Sequence, residues 1–189
     1  MLKKAVFCFV SLVLLGLSSA MSQEVTSKHW FEGKIGQVHS SPLDGALLEI
    51  QYVHTLGSHF GIVAAVNAAH GCDYDAETAV TTTYVGTPSF YSTGLEVGVQ
   101  AKLRHNKFFA DATVRGGVAS FRTTKLAASG VWNSQEMLRG TVSYYVECGV
   151  MATNRLGVGV YCMSGMKAYY GEVDWTSFVV GLSLSVGID

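Results

Sequence analysis

A chain of 189 residues is long enough for one domain, and its 14% of charged side chains lies well below the roughly 25% that is typical of soluble domains. The 13 Lys and Arg residues nearly balance the 14 Asp and Glu residues, so the composition does not indicate a basic surface for nucleic acid. Because the chain has 21 glycines but only two prolines, it favours tightly packed strands over a disordered segment.

The first 22 residues have the pattern of a secretory signal peptide. Two lysines precede an apolar run at residues 5–17, and small residues follow that run. The run is shorter than the roughly 20 residues that a membrane-spanning helix needs. We therefore predict cleavage after Ala20 or Ser22, export of the chain, and a single mature domain at residues 23–189.

Eight segments of the mature chain alternate apolar with polar residues, which is the period of a β-strand with two different faces. The clearest three follow one another between Leu138 and Ile188. They are longer than the roughly 5–6 residues of an average soluble strand and suit the roughly 9–11 tilted residues that cross a bilayer. The predicted strands cover residues 26–38, 46–55, 59–69, 91–103, 107–121, 138–152, 156–168 and 178–188.

The connections between these strands differ in length. Tight turns are predicted after the second, fourth and sixth strands, near residues 56–58, 104–106 and 153–155, whereas long polar loops are predicted at residues 70–90 and 122–137. Short turns at one end and long loops at the other are typical of outer-membrane barrels, whose turns lie in the periplasm and whose loops lie outside the cell.

Charged residues occupy only one of the two faces of the predicted strands. Five acids balance five bases on that face: Glu32, Lys34, Glu49, Glu96, Lys102, Asp111, Arg115, Arg139, Glu147 and Lys167. A buried charge is costly unless it is paired. We therefore predict a network of ion pairs inside a narrow barrel, whose eight strands leave no open pore. A secreted soluble ligand-binding barrel, with the apolar face inward, remains an alternative.

Aromatic residues near the strand ends are predicted to form belts at the two membrane interfaces. These include Trp30, Phe31, Tyr52, Phe108, Phe109 and Phe178. Cys148 and Cys162 flank one tight turn on the same strand face. They form either a cross-strand disulfide, which needs the two residues directly opposite each other, or two small thiols that face lipid.

The signal peptide, the eight alternating strands and the rhythm of short turns and long loops resemble the small OmpX/OmpA-type outer-membrane β-barrels. The resemblance covers residues 26–188 and is one of architecture. It implies an all-β, eight-stranded, antiparallel, up-and-down transmembrane β-barrel in the outer membrane of a Gram-negative cell envelope. Members of such families typically end in an aromatic residue, whereas this chain ends in Ile188 and Asp189. Their functions range from structural anchoring and adhesion to lipid modification.

Two clusters carry residue types suited to chemistry. A serine hydrolase needs a nucleophile, a base and an acid, and the one compact set that supplies them is His39, Ser40, Ser41 and Asp44. A divalent cation prefers oxygen ligands, with imidazole as a further donor, and a second set supplies both: His70, Asp73, Asp75 and Glu77. The first set makes an outer-membrane lipid-modifying hydrolase an alternative function.

We predict a non-enzymatic outer-membrane protein with a structural or surface-interaction role and no cofactor. Its partners are expected to be outer-membrane lipid and an extracellular molecule that binds the acidic loops, and nucleic acid is excluded. We predict a monomer.

Overall fold

The chain folds into one closed barrel of eight antiparallel strands in which each strand pairs with its neighbours in sequence and β1 also pairs with β8. The computed structural model describes residues 27–40, 43–72, 89–126, 132–170 and 173–189. The strands are β1 (His29–Ser40), β2 (Leu43–Leu56), β3 (Phe60–Cys72), β4 (Ser89–His105), β5 (Phe108–Leu126), β6 (Trp132–Thr153), β7 (Leu156–Tyr170) and β8 (Val173–Ile188). The predicted all-β up-and-down barrel is confirmed. The described residues contain no helix of the length and hydropathy that a membrane crossing requires. The predicted signal peptide lies outside the described residues.

The two ends of the barrel differ in their connections. At one end, which we call the turn side, two or three residues join β2 to β3, β4 to β5 and β6 to β7. Gly57 and Asn106 lie in two of these turns with positive φ angles of 69° and 54°, which glycine and asparagine tolerate better than other residues. The opposite end, which we call the loop side, carries the other connections.

The strands on the loop side extend further than the sequence predicted. β5 ends at Leu126 and β6 begins at Trp132, so the predicted loop at residues 122–137 is wrong over most of its length. Arg122 and Glu136 instead lie opposite each other in the β5–β6 ladder. Both residues are polar at positions where the apolar–polar alternation would place apolar residues, so the sequence pattern of a strand is lost there. The cross-strand pairing continues without it. Both ends of the predicted loop at residues 70–90 are likewise strand, because β3 ends at Cys72 and β4 begins at Ser89.

The pairing of the strands is staggered around the barrel. A path that steps from each residue to its paired neighbour leaves β1 at His29 and returns to β1 at His39, ten residues further along. The path runs through His54, Ile62, Val99, Val114, Tyr144, Ser164 and Phe178. Such a stagger tilts the strands relative to the barrel axis, as closure of the sheet requires.

The barrel places its apolar face outside and its charged face inside. Side chains such as Ile50, Val99 and Leu182 are about 60% exposed on the outer surface, whereas Glu96 and Arg115 are only 1% exposed. A soluble barrel with an apolar lumen would have the opposite arrangement. The structure therefore contradicts that alternative and favours a barrel that is surrounded by lipid.

Candidate functional site

The centre of the lumen is organised by Arg115 on β5. Its Nη1 and Nη2 atoms donate to the two carboxylate oxygens of Glu49 at 2.8 and 2.9 Å. Its Nε atom lies 3.2 Å from a carboxylate oxygen of Glu96. Glu96 also accepts hydrogen bonds from the hydroxyls of Thr141 and Ser143, both at 2.9 Å. A forked guanidinium–carboxylate pair such as Arg115–Glu49 is among the strongest polar contacts in proteins, and here it joins β5 to β2. The contacts of Glu96 extend the connection to β4 and β6.

Lys34 on β1 forms the second half of the network. Its ammonium nitrogen lies 3.0 Å from Glu32, 3.5 Å from Glu49 and 3.8 Å from Glu147. It also lies 3.8 Å from the ring centroid of Tyr145, whose hydroxyl donates to Glu147 at 2.7 Å. Because Glu49 contacts both Lys34 and Arg115, the two halves form one structure, which we call the lumen network: Glu32, Lys34, Glu49, Glu96, Arg115, Thr141, Ser143, Tyr145 and Glu147.

A separate charged pair lies nearer the turn side. Arg104 donates to both carboxylate oxygens of Asp111, at 2.6 and 3.1 Å, and its guanidinium lies 4.7 Å from the ring centroid of Phe109. Lys102 donates to the hydroxyl of Thr55 at 3.3 Å and lies over the ring of Trp30. The sequence reading missed Arg104 because it assigned this residue to a turn. Extending the inward alternation of β4 by one step beyond Lys102 would have found it.

Apolar side chains flank the polar layers inside the barrel on both sides. On the loop side, a buried cluster with Phe121 at its edge contains Val38, Leu47, Ala69, Phe90, Tyr145, Tyr161, Met163 and Val179. On the turn side, Trp30, Val53 and Val63 are buried together and Met151 packs against them. Trp30 and Phe109 were predicted to lie in interface belts, and this is wrong: both point into the lumen and are almost completely buried. Their positions follow the inward parity of β1 and β5, which overrides the interfacial preference of aromatic rings.

The structure places eight of the ten charges predicted for the lumen in buried positions. These are Glu32, Lys34, Glu49, Glu96, Lys102, Asp111, Arg115 and Glu147. Arg139 is half-buried towards the loop side, where its Nη2 atom lies 3.5 Å from the sulfur of Met137. Lys167 lies in β7, and its side chain falls outside the described part of the structure.

The described members of the two predicted chemical clusters lie on the loop side. His39 is exposed and pairs with Asp44 across the β1–β2 ladder. Ser41 and the side chains of Ser40 and Asp44 lie outside the described residues. His70 is exposed near the end of β3, whereas the candidate ligands Asp73, Asp75 and Glu77 also lie outside them. Among the described side chains, no three His, Cys, Asp or Glu residues are placed to hold a metal ion together.

The two cysteines near the third tight turn do not lie directly opposite each other. Val160 is the partner of Cys148, and Val146 is the partner of Cys162, so the two cysteines are diagonal neighbours. Both are free and exposed on the outer face. Of the two interpretations, the structure shows the pair of thiols on the apolar surface, since a diagonal separation of roughly 7–8 Å is too wide for a disulfide.

The outer surface carries a continuous apolar band. On β8, the outward residues from Phe178 to Ile188 are all apolar: Phe178, Val180, Leu182, Leu184, Val186 and Ile188. This run spans about 33 Å along the strand, and a tilt of about 40° reduces it to roughly 25 Å, the height of a membrane barrel's apolar band. Within the described strands, the outward charged side chains Arg122 and Glu136 lie near the loop side. On the turn side, the exposed Lys107 lies in the β4–β5 turn, beyond the strand ends.

No protein family model and no curated protein sequence matches the chain, but solved structures match its fold. Neisserial surface protein A (NspA) aligns with a TM-score of 0.61 at 10% sequence identity, over 86% of this chain and 98% of that one. The outer membrane protein OprG from Pseudomonas aeruginosa aligns with a TM-score of 0.52 at 9% identity, over 86% and 98%. Ail, the attachment invasion locus protein of Yersinia pestis, aligns with a TM-score of 0.50 at 8% identity, over 83% and 96%. At these identities the likeness shows the fold alone.

Proposed function

Because the chain has the fold of the small eight-stranded outer-membrane β-barrels, we propose that it is exported through its N-terminal signal peptide into the outer membrane of a Gram-negative cell. There it acts as a non-enzymatic, monomeric protein with a structural or surface-interaction role. The observation that carries this proposal is the apolar band around a lumen filled with paired charges. Such a surface is unstable in water, whereas lipid covers it without cost to any polar group.

The filled lumen argues against transport of solutes through the barrel. An ion or solute that crosses the barrel would have to displace the Arg115–Glu49 pair and the apolar clusters on both sides of the network. Breaking a buried ion pair leaves an uncompensated charge, which costs several kcal/mol, roughly 3–5. In this proposal the closed barrel anchors the protein in the membrane, and its loop side makes the contacts with a partner.

The loop side supports a cationic partner. In the sequence, the loop-side connections and the strand ends beside them contain more acidic than basic residues. The basic residues are Arg122 and Lys125, and the acidic residues are Asp44, Asp73, Asp75, Glu77, Glu136, Glu172 and Asp174. Ail was crystallised in complex with the heparin analogue sucrose octasulfate, a polyanion. The acidic loops of this chain would repel such a ligand, so we propose instead a basic peptide or protein surface as the extracellular partner.

The first test is to fold the mature chain, starting at Gln23, with and without detergent micelles. We expect a β-type circular dichroism spectrum and a gel band that shifts on boiling only when detergent is present. A folded, monodisperse protein in plain buffer would contradict the membrane assignment.

A second test addresses the non-enzymatic and non-transport roles in the same preparation. We expect no stepwise conductance in planar lipid bilayers and no change in lipid A acyl content when the protein is incubated with outer-membrane lipid. If acyl chains are released, and a variant with His39, Ser40 and Ser41 substituted together releases none, the protein is a hydrolase instead.

A further inference from the structure

Two histidines face each other on the outer surface at the turn-side margin of the apolar band. His29 on β1 is the direct partner of His54 on β2. Their ring centroids are 5.0 Å apart, and the ring planes are tilted by 43°. Both side chains are half-buried, so they reach solvent without being free to swing away. Neither residue belongs to the lumen network, and neither lies on the loop side.

The distance between the two rings fits a shared metal ion. A Zn²⁺ ion lies about 2.0–2.1 Å from a coordinating imidazole nitrogen, and therefore about 3.2 Å from the centre of that ring. Two rings on one tetrahedral ion consequently have their centres about 5 Å apart. The ring centroids of the His29–His54 pair have this separation.

The environment of His29 resembles that of a metal ligand. The hydroxyl oxygen of Tyr52 lies 2.6 Å from Nδ1 of His29. Histidines that bind metals usually engage their second ring nitrogen in a hydrogen bond, which fixes the orientation and the tautomer of the ring. Tyr52 is itself held against the ring of Phe31, with centroids 5.3 Å apart. The Nε2 atom of His29 is left as the coordinating nitrogen.

We propose that His29 and His54 form a two-imidazole binding site for a divalent first-row transition metal, with water in the remaining coordination positions. Imidazole nitrogen suits Cu²⁺, Zn²⁺ and Ni²⁺, and affinity for such sites rises from Ni²⁺ to Cu²⁺ and falls again to Zn²⁺. Because the described residues bring no third protein ligand to the pair, the site is open and its metal exchanges readily. The proposal does not depend on the function proposed above, because it rests on the β1–β2 pair alone.

The test uses the folded protein in detergent micelles without a histidine tag. A calorimetric titration with Cu²⁺ is expected to show saturable binding of one ion per barrel, and the same titration with Zn²⁺ is expected to show weaker binding. Electron paramagnetic resonance of the Cu²⁺ form is expected to show two coordinating nitrogens. The double variant His29→Asn/His54→Asn should lose this binding, whereas His59→Asn/His105→Asn, which alters two exposed turn-side histidines, should retain it.

A third variant tests the role assigned to Tyr52. Tyr52→Phe keeps the ring but removes the hydroxyl, and we expect metal affinity to fall by about 10–100-fold. The heat-dependent gel shift of every variant shows that it has folded. The proposal is overturned if wild-type protein shows no saturable binding, or if the His29→Asn/His54→Asn variant binds Cu²⁺ as the wild type does. Either result would leave the pair as an ordinary interfacial ring contact.

Discussion

Arg115 contacts more partners than any other charged residue of the lumen network. It binds Glu49 with both terminal nitrogens, approaches Glu96 with Nε, and donates to the side-chain oxygen of Gln51 at 3.0 Å. These partners come from two different strands, so a single side chain links β5 to β2 and β4 across the barrel axis. Lysine could not replace it, because one ammonium group cannot make the forked contact with Glu49.

We expect the substitution Arg115→Met to lower the free energy of unfolding by about 3–5 kcal/mol. It leaves Glu96 buried without a cation, and it leaves Glu49 with only the ammonium group of Lys34, 3.5 Å away. Urea titration of the barrel in lipid vesicles would measure the loss. The matched control is Arg155→Met, which removes an exposed ion pair with Asp189 on the turn side. That change should cost no more than about 1 kcal/mol. Equal effects of the two substitutions would show that the lumen network does not stabilise the barrel.

Individual side chains could be assigned to a face from the sequence, but their partners could not. Period-two alternation placed Glu32, Glu49 and Glu147 on the same side as Arg115, because parity along a strand fixes the direction of each side chain. Which acid meets which base depends on the stagger between strands, and no short-range pattern encodes that stagger. Trp30 was assigned to the wrong face because its residue type was given more weight than its parity.

Among the elements, β4 and β5 are tightly packed where Gly98 faces Arg115. A Cβ atom built on Gly98 would lie 2.7 Å from the Cα atom and 2.8 Å from the Cγ atom of Arg115. Real Cβ atoms do not approach other atoms so closely, so any larger residue here must push the two strands apart, because rotation of the Arg115 side chain does not move its Cα atom. The glycine therefore leaves room for the backbone and the Cγ atom of Arg115, the residue at the centre of the network.

We expect Gly98→Ala to destabilise the folded barrel by about 1–3 kcal/mol, the usual cost of overpacking a tight interior. The same urea titration would measure it. Gly140→Ala on β6 is the control, because a Cβ atom there would meet its nearest neighbour, the backbone oxygen of Gly117, at 4.0 Å. This second change should be neutral or slightly stabilising, since alanine restricts the unfolded chain. If both variants unfold alike, the close approach of β4 and β5 at Gly98 is not a constraint.

The elements themselves were predictable in number, order and approximate position, but not at their loop-side ends. Inside the apolar band, lipid on one side and charge on the other enforce strict alternation, so the strands between Leu138 and Ile188 were recognisable. Beyond the band, outward residues of the β5–β6 hairpin such as Arg122 and Glu136 are polar and exposed. The alternation then disappears although the ladder continues, which is why the sequence predicts a loop at Leu126 and Trp132.

Considered as a whole, the molecule is defined by the contrast between its two surfaces. We expect Leu182→Arg, at the middle of the outward row of β8, to destabilise the barrel in lipid by about 2–4 kcal/mol. Ile188→Arg, at the turn-side end of the same row, should cost no more than about 1 kcal/mol, because the charge can reach water there. Unfolding both variants in vesicles would measure this dependence on depth. Equal costs would contradict the orientation of the barrel in the membrane.

The pairing of β1 with β8 has a consequence for how the chain reaches its native state. His29 and Phe31 find their partners in Ile188 and Val186, almost the full length of the mature domain away. Every other ladder joins strands that are adjacent in sequence and can form as hairpins. The last seam is therefore expected to close after the hairpins, and it must overcome the largest loss of chain entropy. Until it does, both terminal strands have an unpaired edge, and this intermediate is the state in which the protein is most exposed to aggregation.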